Sequence, residues 1–324
     1  MEYLLLIVGF VLLIKGADLF VDGSISVARK LNIPSLIIGL TIVAMGTSAP
    51  EAAVSISASL KGANEIAVGN IIGSNIFNLL SVVGVCAVIK PMHVKKRFMF
   101  TDYVIALFAA LVLIALCWGN VKAENALTTY IGNLSFVDGI ILLVLQVAFI
   151  AYTIIMAKRS NEQPSEEFEA MSTLKTILYI VIGLAGVIFG GQVVVDSAKT
   201  IASSFGLSDS LIGLTIVAIG TSLPELVTSI VAARKGDSDI AIGNVIGSNI
   251  FNTFFILGMT AVVGAVPVNG FTIVDAAINF AVTLVVFFMC LGRYKINRIE
   301  GTLMILMYVA FTAYLIWRQM TFGV

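Results

Sequence analysis

Residues 39–84 and 213–258 align without a gap at an offset of 174, and 28 of the 46 positions are identical. GLTIVAMGTSAPE (39–51) returns as GLTIVAIGTSLPE (213–225), and GNIIGSNIFN (69–78) returns as GNVIGSNIFN (243–252). A chain with such a duplication must place its two copies in related surroundings, and those surroundings are apolar. Of the 324 residues, 59% are hydrophobic and 12% charged, with a mean hydropathy of +1.05. A soluble domain carries about 25% charged residues, so lipid is the expected solvent.

About 20 apolar residues span a bilayer, and ten stretches qualify: roughly 3–21, 36–59, 66–89, 98–118, 134–157, 175–195, 211–233, 240–265, 271–291 and 301–317. These runs are continuously apolar, which excludes a transmembrane barrel with its alternating pattern. The first opens with Glu2 instead of a basic segment and is expected to be a span, not a signal peptide. The expected fold is therefore an all-α integral membrane protein of ten transmembrane helices. The polar stretch KRSNEQPSEEFEAMSTLK (158–175) divides it into an N-terminal five-helix unit (1–160), a short cytoplasmic linker (161–172) and a C-terminal five-helix unit (173–324).

Equivalent points of the repeat are five spans apart. Five is odd, so the second unit enters the membrane upside down relative to the first. The basic residues of the connections give the orientation. Fourteen, among them Arg29, Lys30, Lys95, Lys96, Arg97, Lys158, Arg234 and Lys235, fall on one side, against Lys61, Lys122, Lys199 and Arg318 on the other. Both termini are thus expected outside the cytoplasm, in a multi-pass protein of the cell membrane. Inverted repeats with interrupted helices point to a secondary transporter with its site near the bilayer midplane.

Glu51 and Glu225 lie inside apolar runs at equivalent repeat positions. A carboxylate at mid-membrane costs about 2.5–3.5 kcal/mol on insertion scales and marks a functional site by default. Each follows a proline, Pro50 or Pro224, which lacks an amide hydrogen and crowds the carbonyl four residues earlier. A kink is expected there, freeing carbonyls around Ala44–Thr47 and Ala218–Thr221; such backbone is tolerated in lipid only when buried in protein or lining a cavity. On a helix, Thr47, Ser48 and Glu51 share a face, and so do Thr221, Ser222 and Glu225. Asn70, Ser74 and Asn78 form a second polar stripe at four-residue spacing, repeated as Asn244, Ser248 and Asn252, while the adjacent GxxxG patterns favour close helix packing.

Together these residues offer carboxylates, amides, hydroxyls and carbonyls. The three cysteines are dispersed in apolar runs and there is one histidine, His93, so neither a zinc pattern nor a disulfide framework is legible. An all-oxygen set suits a hard cation such as Ca²⁺, and two carboxylates match its charge. Balanced charge, nineteen basic against nineteen acidic residues, removes the electrostatic case for nucleic-acid binding.

At these motifs the sequence resembles the sodium/calcium exchangers of the cation/calcium antiporter (CaCA) superfamily, near its prokaryotic members. The resemblance covers the whole ten-span layout and is most specific at GTSAPE, GTSLPE and the two G-S-N-I-F-N segments. It implies two inverted five-helix halves, with the second, third, seventh and eighth helices forming a core around the ions. The long first and sixth helices, beginning near Tyr3 and Leu174, would slide against that core. It implies ligation by Glu51, Thr47, Ser48, Ser74, Asn78 and the Ala44 carbonyl, and by Glu225, Thr221, Ser222, Ser248, Asn252 and the Ala218 carbonyl. Asp22 and Asp196, also at equivalent positions, read as interfacial caps and not as ligands.

The implied activity is exchange of Ca²⁺ for Na⁺ by a monomer, with both ions as cargo and no resident cofactor. Proton-coupled members of the superfamily show G-N-x-x-E where this chain has G-T-S-x-P-E, which favours Na⁺ as the counter-ion. Some members, including potassium-dependent ones, carry an aspartate at the position of Asn252, so K⁺ co-transport is not expected. The competing readings are H⁺/Ca²⁺ antiport and, from another class, a cation channel. A channel filter is normally built by several subunits around an axis, which a single-chain duplication fits less well. No nucleophile–base pair suggests an enzyme.

Overall fold

The computed structural model describes residues 1–62, 64–119, 132–159, 171–205 and 218–322. Helices dominate: α1 (Glu2–Lys30), α2 (Ser35–Thr47), α3 (Ala49–Leu60), α4 (Ala67–Ile89), α5 (Lys96–Trp118), α6 (Phe136–Arg159), α7 (Thr173–Ser204), α8 (Ala218–Thr221), α9 (Leu223–Lys235), α10 (Ser238–Val263), α11 (Gly270–Leu291) and α12 (Arg298–Phe322). Eight of these are long and apolar enough to cross a membrane, and α2 with α3 makes a ninth, broken span bent by 47°. The tenth expected stretch, 211–233, is described only from Ala218, as α8 and α9; residues 211–217 lie outside the described residues, as do Lys122 and most of the expected linker, 161–170.

The helices sort by composition into centre and periphery. In α4 and α10, which carry the Asn/Ser stripes, 83% and 94% of the hydrophobic window is buried, against 33% in α1 and 17% in α12. The polar stripe explains this: amides and hydroxyls must find partners inside protein, because lipid offers none. The peripheral helices show leucine, isoleucine and phenylalanine outward, as a lipid-facing surface requires.

Equivalent elements of the two halves meet in opposed directions. Gly9 lies against Val194, Gly16 against Val187 and Gly23 against Ile180, so α1 and α7 run antiparallel. α4 and α10 also cross antiparallel, with Asn75 beside Asn252 and Asn78 beside Asn249. Two short strand pairs, which the sequence reading did not anticipate, repeat the relation at the loops. Met92–His93 pairs with Lys295–Ile296, and Val266–Val268, at the equivalent place in the second half, pairs with Gly132–Leu134.

The contact of α1 with α7 depends on absent side chains. A Cβ at Gly16 would fall 2.6 Å from the Val187 nitrogen, 2.7 Å from the Gly186 carbonyl carbon and 2.8 Å from the Gly183 oxygen, all backbone atoms that cannot rotate away. Overpacking typically costs about 1–3 kcal/mol, and here it must outweigh the ~1 kcal/mol that alanine gains over glycine in helix propensity. Gly16→Ala is therefore expected to lower the thermal unfolding midpoint of the detergent-purified protein. Gly292→Ala, with nothing within 4 Å of its Cβ, is expected to leave it unchanged. Equal midpoints for the two variants would contradict the close packing of α1 on α7.

Candidate cation site

The two broken helices are the origin of the site. α2 ends at Thr47 and α3 begins at Ala49, so the interruption falls on Ser48; α8 ends at Thr221 and α9 begins at Leu223, so it falls on Ser222. Pro50 and Pro224 lie in the first turn of the restarted helices, where a missing amide hydrogen costs no intrahelical bond. Glu51 and Glu225 occupy that same first turn. The positive end of the helix macrodipole favours a carboxylate there, and both side chains are fully buried.

The expected kink is present as a 47° bend between α2 and α3. The hydroxyl and carboxylate of each half are hydrogen-bonded across to the other half. The Ser48 hydroxyl donates to Glu225 Oε1 at 2.7 Å, and the Ser222 hydroxyl donates to Glu51 Oε1 at 2.9 Å. The threonines cross in the same way: Thr47 donates to Asn244 Oδ1 at 2.9 Å and Thr221 to Asn70 Oδ1 at 3.3 Å. Each carboxylate is thus held by a hydroxyl from the opposite half.

The stripes of α4 and α10 close the site. Ser248 donates to Glu225 Oε1 at 3.4 Å and lies 3.4 Å from the Ala44 carbonyl oxygen, while Ser74 Oγ lies 3.1 Å from Ser222 Oγ. Asn78 and Asn252 sit one turn beyond Ser74 and Ser248, each opening a π-helical segment, Asn78–Val82 and Asn252–Ile256. Wide turns of this kind cluster at functional sites, and the sequence pattern gave no sign of them. The Ala44 carbonyl, expected to be free, accepts the Ser48 amide at 3.0 Å, although its contact with Ser248 keeps it at the site. Ala218 is the first residue of α8.

Where the two breaks meet α4 and α10, the buried oxygens without a hydrogen-bond donor among the described residues include Glu51 Oε2, Glu225 Oε2, Asn78 Oδ1 and Asn252 Oδ1. They form two pairs related by the repeat. Leaving such acceptors unsatisfied costs about 1–3 kcal/mol each and more for charged groups. Among the described residues no group of three or more His, Cys, Asp or Glu side chains is assembled, so the donors gathered here are carboxylate, amide and hydroxyl oxygens. That set is chemically matched to a hard cation of the Ca²⁺ or Na⁺ kind.

Residues absent from the expected ligand set support it from behind. Asn70 donates to Ser55 at 3.1 Å and Asn244 to Ser229 at 2.9 Å, again an equivalent pair. Asn75 and Asn249 join α4 to α10. Their signal in the sequence is identity between the copies at polar positions of buried helices. Asp22 and Asp196 do not act as caps: Asp22 binds Lys235 Nζ at 2.7 Å, while Asp196 accepts from Gln192 at 2.9 Å and lies 3.8 Å from Lys199. Lys235 also reaches Asp18, at 3.4 Å from its carboxylate. A cavity of about 370 Å³ lies among α3, α7, α8 and α9, lined by Pro50, Val54, Gln192, Lys199, Thr221 and Pro224.

Fold and comparisons together define a multi-pass membrane protein of the exchanger class, with an oxygen-lined candidate site where its broken helices meet. The chain belongs to the sodium/calcium exchanger protein family, whose profile matches residues 1–155 and 175–317. It is 33% identical to the sodium/calcium exchanger MaX1 of Methanosarcina acetivorans, over 98% of this chain and 99% of that protein. It is 41% identical to the putative antiporter CaxA of Alkalimonas amylolytica, over 94% of this chain and 95% of the relative. Among solved structures, the sodium-calcium exchanger NCX_Mj soaked with Na⁺ and Ca²⁺ superposes with a TM-score of 0.81 at 31% identity, covering 96% of this chain and 97% of that one.

Proposed function

We propose that this protein is a secondary antiporter that exchanges Ca²⁺ for Na⁺ across the cell membrane by alternating access, without K⁺. The observation that carries this reading is the set of four unpartnered, buried oxygens on Glu51, Glu225, Asn78 and Asn252. The ligands are these four residues with Ser48, Ser222, Ser74, Ser248, Thr47, Thr221 and the Ala44 and Ala218 carbonyls. Ten spans, two inverted halves (1–160 and 173–324) and termini outside the cytoplasm complete the reading, supported by the antiparallel crossing of equivalent helices and by the distribution of basic loops. Similarity to the sodium/calcium exchanger MaX1 and to NCX_Mj supports Na⁺ and Ca²⁺ as cargo.

Alternating access requires the halves to differ in any one conformation, and here they do. Lys235 clamps α9 to Asp18 and Asp22 of α1. The equivalent residues are Lys61, Gln192 and Asp196; there, among the described residues, Asp196 is engaged along its own helix, and the cavity lies between α3 and α7. With the expected orientation, this asymmetry supports reading the arrangement as outward-open and closed on the cytoplasmic side. The inward-open conformer is reached by exchanging the two arrangements. Cysteine pairs Asp22→Cys/Lys235→Cys and Asp196→Cys/Lys61→Cys are both expected to cross-link under turnover, each blocking transport reversibly. Failure of the second pair to form under any ion gradient would contradict reciprocal closure.

Each carboxylate supplies half the formal charge, and removing one leaves a divalent ion poorly compensated in low dielectric. Glu51→Gln and Glu225→Gln are each expected to abolish ⁴⁵Ca²⁺ uptake into proteoliposomes driven by an outward Na⁺ gradient, with the variants still monodisperse. Near wild-type uptake by either variant would remove that residue from the site. Uptake driven by a pH gradient alone, at equal Na⁺ on both sides, would make the counter-ion H⁺.

Hydroxyls and carbonyls contributed by both halves can hold three Na⁺ in exchange for one Ca²⁺, leaving one net charge to cross per cycle. One charge is worth about 2.3 kcal/mol per 100 mV, so an inside-negative potential of that size favours Ca²⁺ extrusion about fiftyfold at equilibrium. With the potential clamped by K⁺ and valinomycin, the Ca²⁺ ratio at which net exchange stops is expected to follow voltage. A voltage-independent reversal point would replace three Na⁺ by two.

A further inference from the structure

A buried amide can present either its oxygen or its NH₂ group, and only the oxygen can ligate a cation. Asn78 and Asn252 both present oxygen, and the seam between α4 and α10 explains why. One chain of hydrogen bonds starts at the Asn249 backbone carbonyl. It accepts the Thr253 hydroxyl at 2.9 Å, so Thr253 Oγ1 is left to accept, and it does so from Asn75 Nδ2 at 3.0 Å. Asn75 is thereby turned with Oδ1 toward α10, where it accepts Asn252 Nδ2 at 3.1 Å. The second chain starts at the Asn75 backbone carbonyl, which accepts Asn249 Nδ2 at 3.0 Å; Asn249 Oδ1 then accepts Asn78 Nδ2 at 3.1 Å.

A backbone carbonyl can only accept, so each chain has one possible polarity, and each ends on an amide oxygen with no donor. We propose that Asn75, Asn249 and Thr253 are positioning residues that set the orientation of the Asn78 and Asn252 amides and so hold both oxygens toward the transported cation. All three are buried, and no other route fixes these amides among the described residues. The inference rests on the exchange reading of the site. Residues that orient ligands from behind typically change metal affinity by about 10–100-fold when removed.

The test uses purified full-length protein and ⁴⁵Ca²⁺ as the probe, first in equilibrium binding and then in transport. Asn249→Leu is expected to raise the apparent Ca²⁺ dissociation constant and KM at least tenfold, while the maximal rate at saturating Ca²⁺ stays within about threefold of wild type. Thr253→Val is expected to shift affinity in the same direction, and Thr253→Ser, which keeps the hydroxyl, to restore it. The serine–valine pair separates orientation from packing, and it decides the matter if Asn249→Leu does not fold. Unchanged affinity in Thr253→Val and in a folded Asn249→Leu would overturn the proposal, as would equal losses in the valine and serine variants. Absence of Ca²⁺ binding by the wild type would instead overturn the exchange reading itself.

Discussion

Two carboxylates buried in a membrane protein are the constraint to which the rest of the structure answers. Glu51 and Glu225 are fully enclosed, and each has one oxygen hydrogen-bonded and one without a donor. A charge in that position is tolerable only if something else neutralises it. The protein supplies serine hydroxyls and the positive ends of α3 and α9, and among the described residues no lysine or arginine forms an ion pair with either carboxylate. A permanent ion pair would satisfy the charge and leave nothing to transport. On the proposed exchange reading, that place is left for the transported cation.

The helix breaks follow from the same demand. A continuous helix would point Ser48 and Glu51 along one face and satisfy its own backbone, with no first turn to receive a carboxylate. Ending α2 at Thr47 and restarting at Ala49 creates that turn and swings the serine across to the other half. The proline then stabilises the restart instead of damaging a helix. The amide seam between α4 and α10 extends the principle: polarity fixed at backbone carbonyls is relayed outward to the two atoms that must remain acceptors.

Much of this was legible in the sequence. The duplication, the apolar spans, the two glutamates and the Ser/Asn stripes are one-dimensional signals, because hydropathy and spacing report burial and helix face directly. What was not legible is which partner each polar group takes. A helical-wheel argument groups Thr47, Ser48 and Glu51, but it says nothing of the partners that each takes in the opposite half. Asn75 and Asn249 sit beside the four-residue stripe and not on it, so spacing alone does not single them out. The π-helical turns at Asn78 and Asn252 rotate the register locally, and spacing rules drawn for a regular helix do not contain that rotation. Asp22 and Asp196 look alike in sequence and differ in space, since a single conformation treats the two halves unequally.

The exchange of serines has a consequence for how such a molecule can be divided. Ser48 is encoded in the first half and completes the carboxylate of the second; Ser222 does the reverse. Neither half therefore contains half of the site. Each holds a carboxylate lacking its hydroxyl and a hydroxyl lacking its carboxylate, so a lesion at Ser48 is felt first at Glu225, 177 residues away. By the same geometry, a single copy of the repeat could complete itself only against a second copy running antiparallel to it, as α4 runs to α10. A gene duplication that joined two such copies would have turned a meeting of separate molecules into an obligatory internal contact, with the ratio and opposed orientation of the halves written into one reading frame.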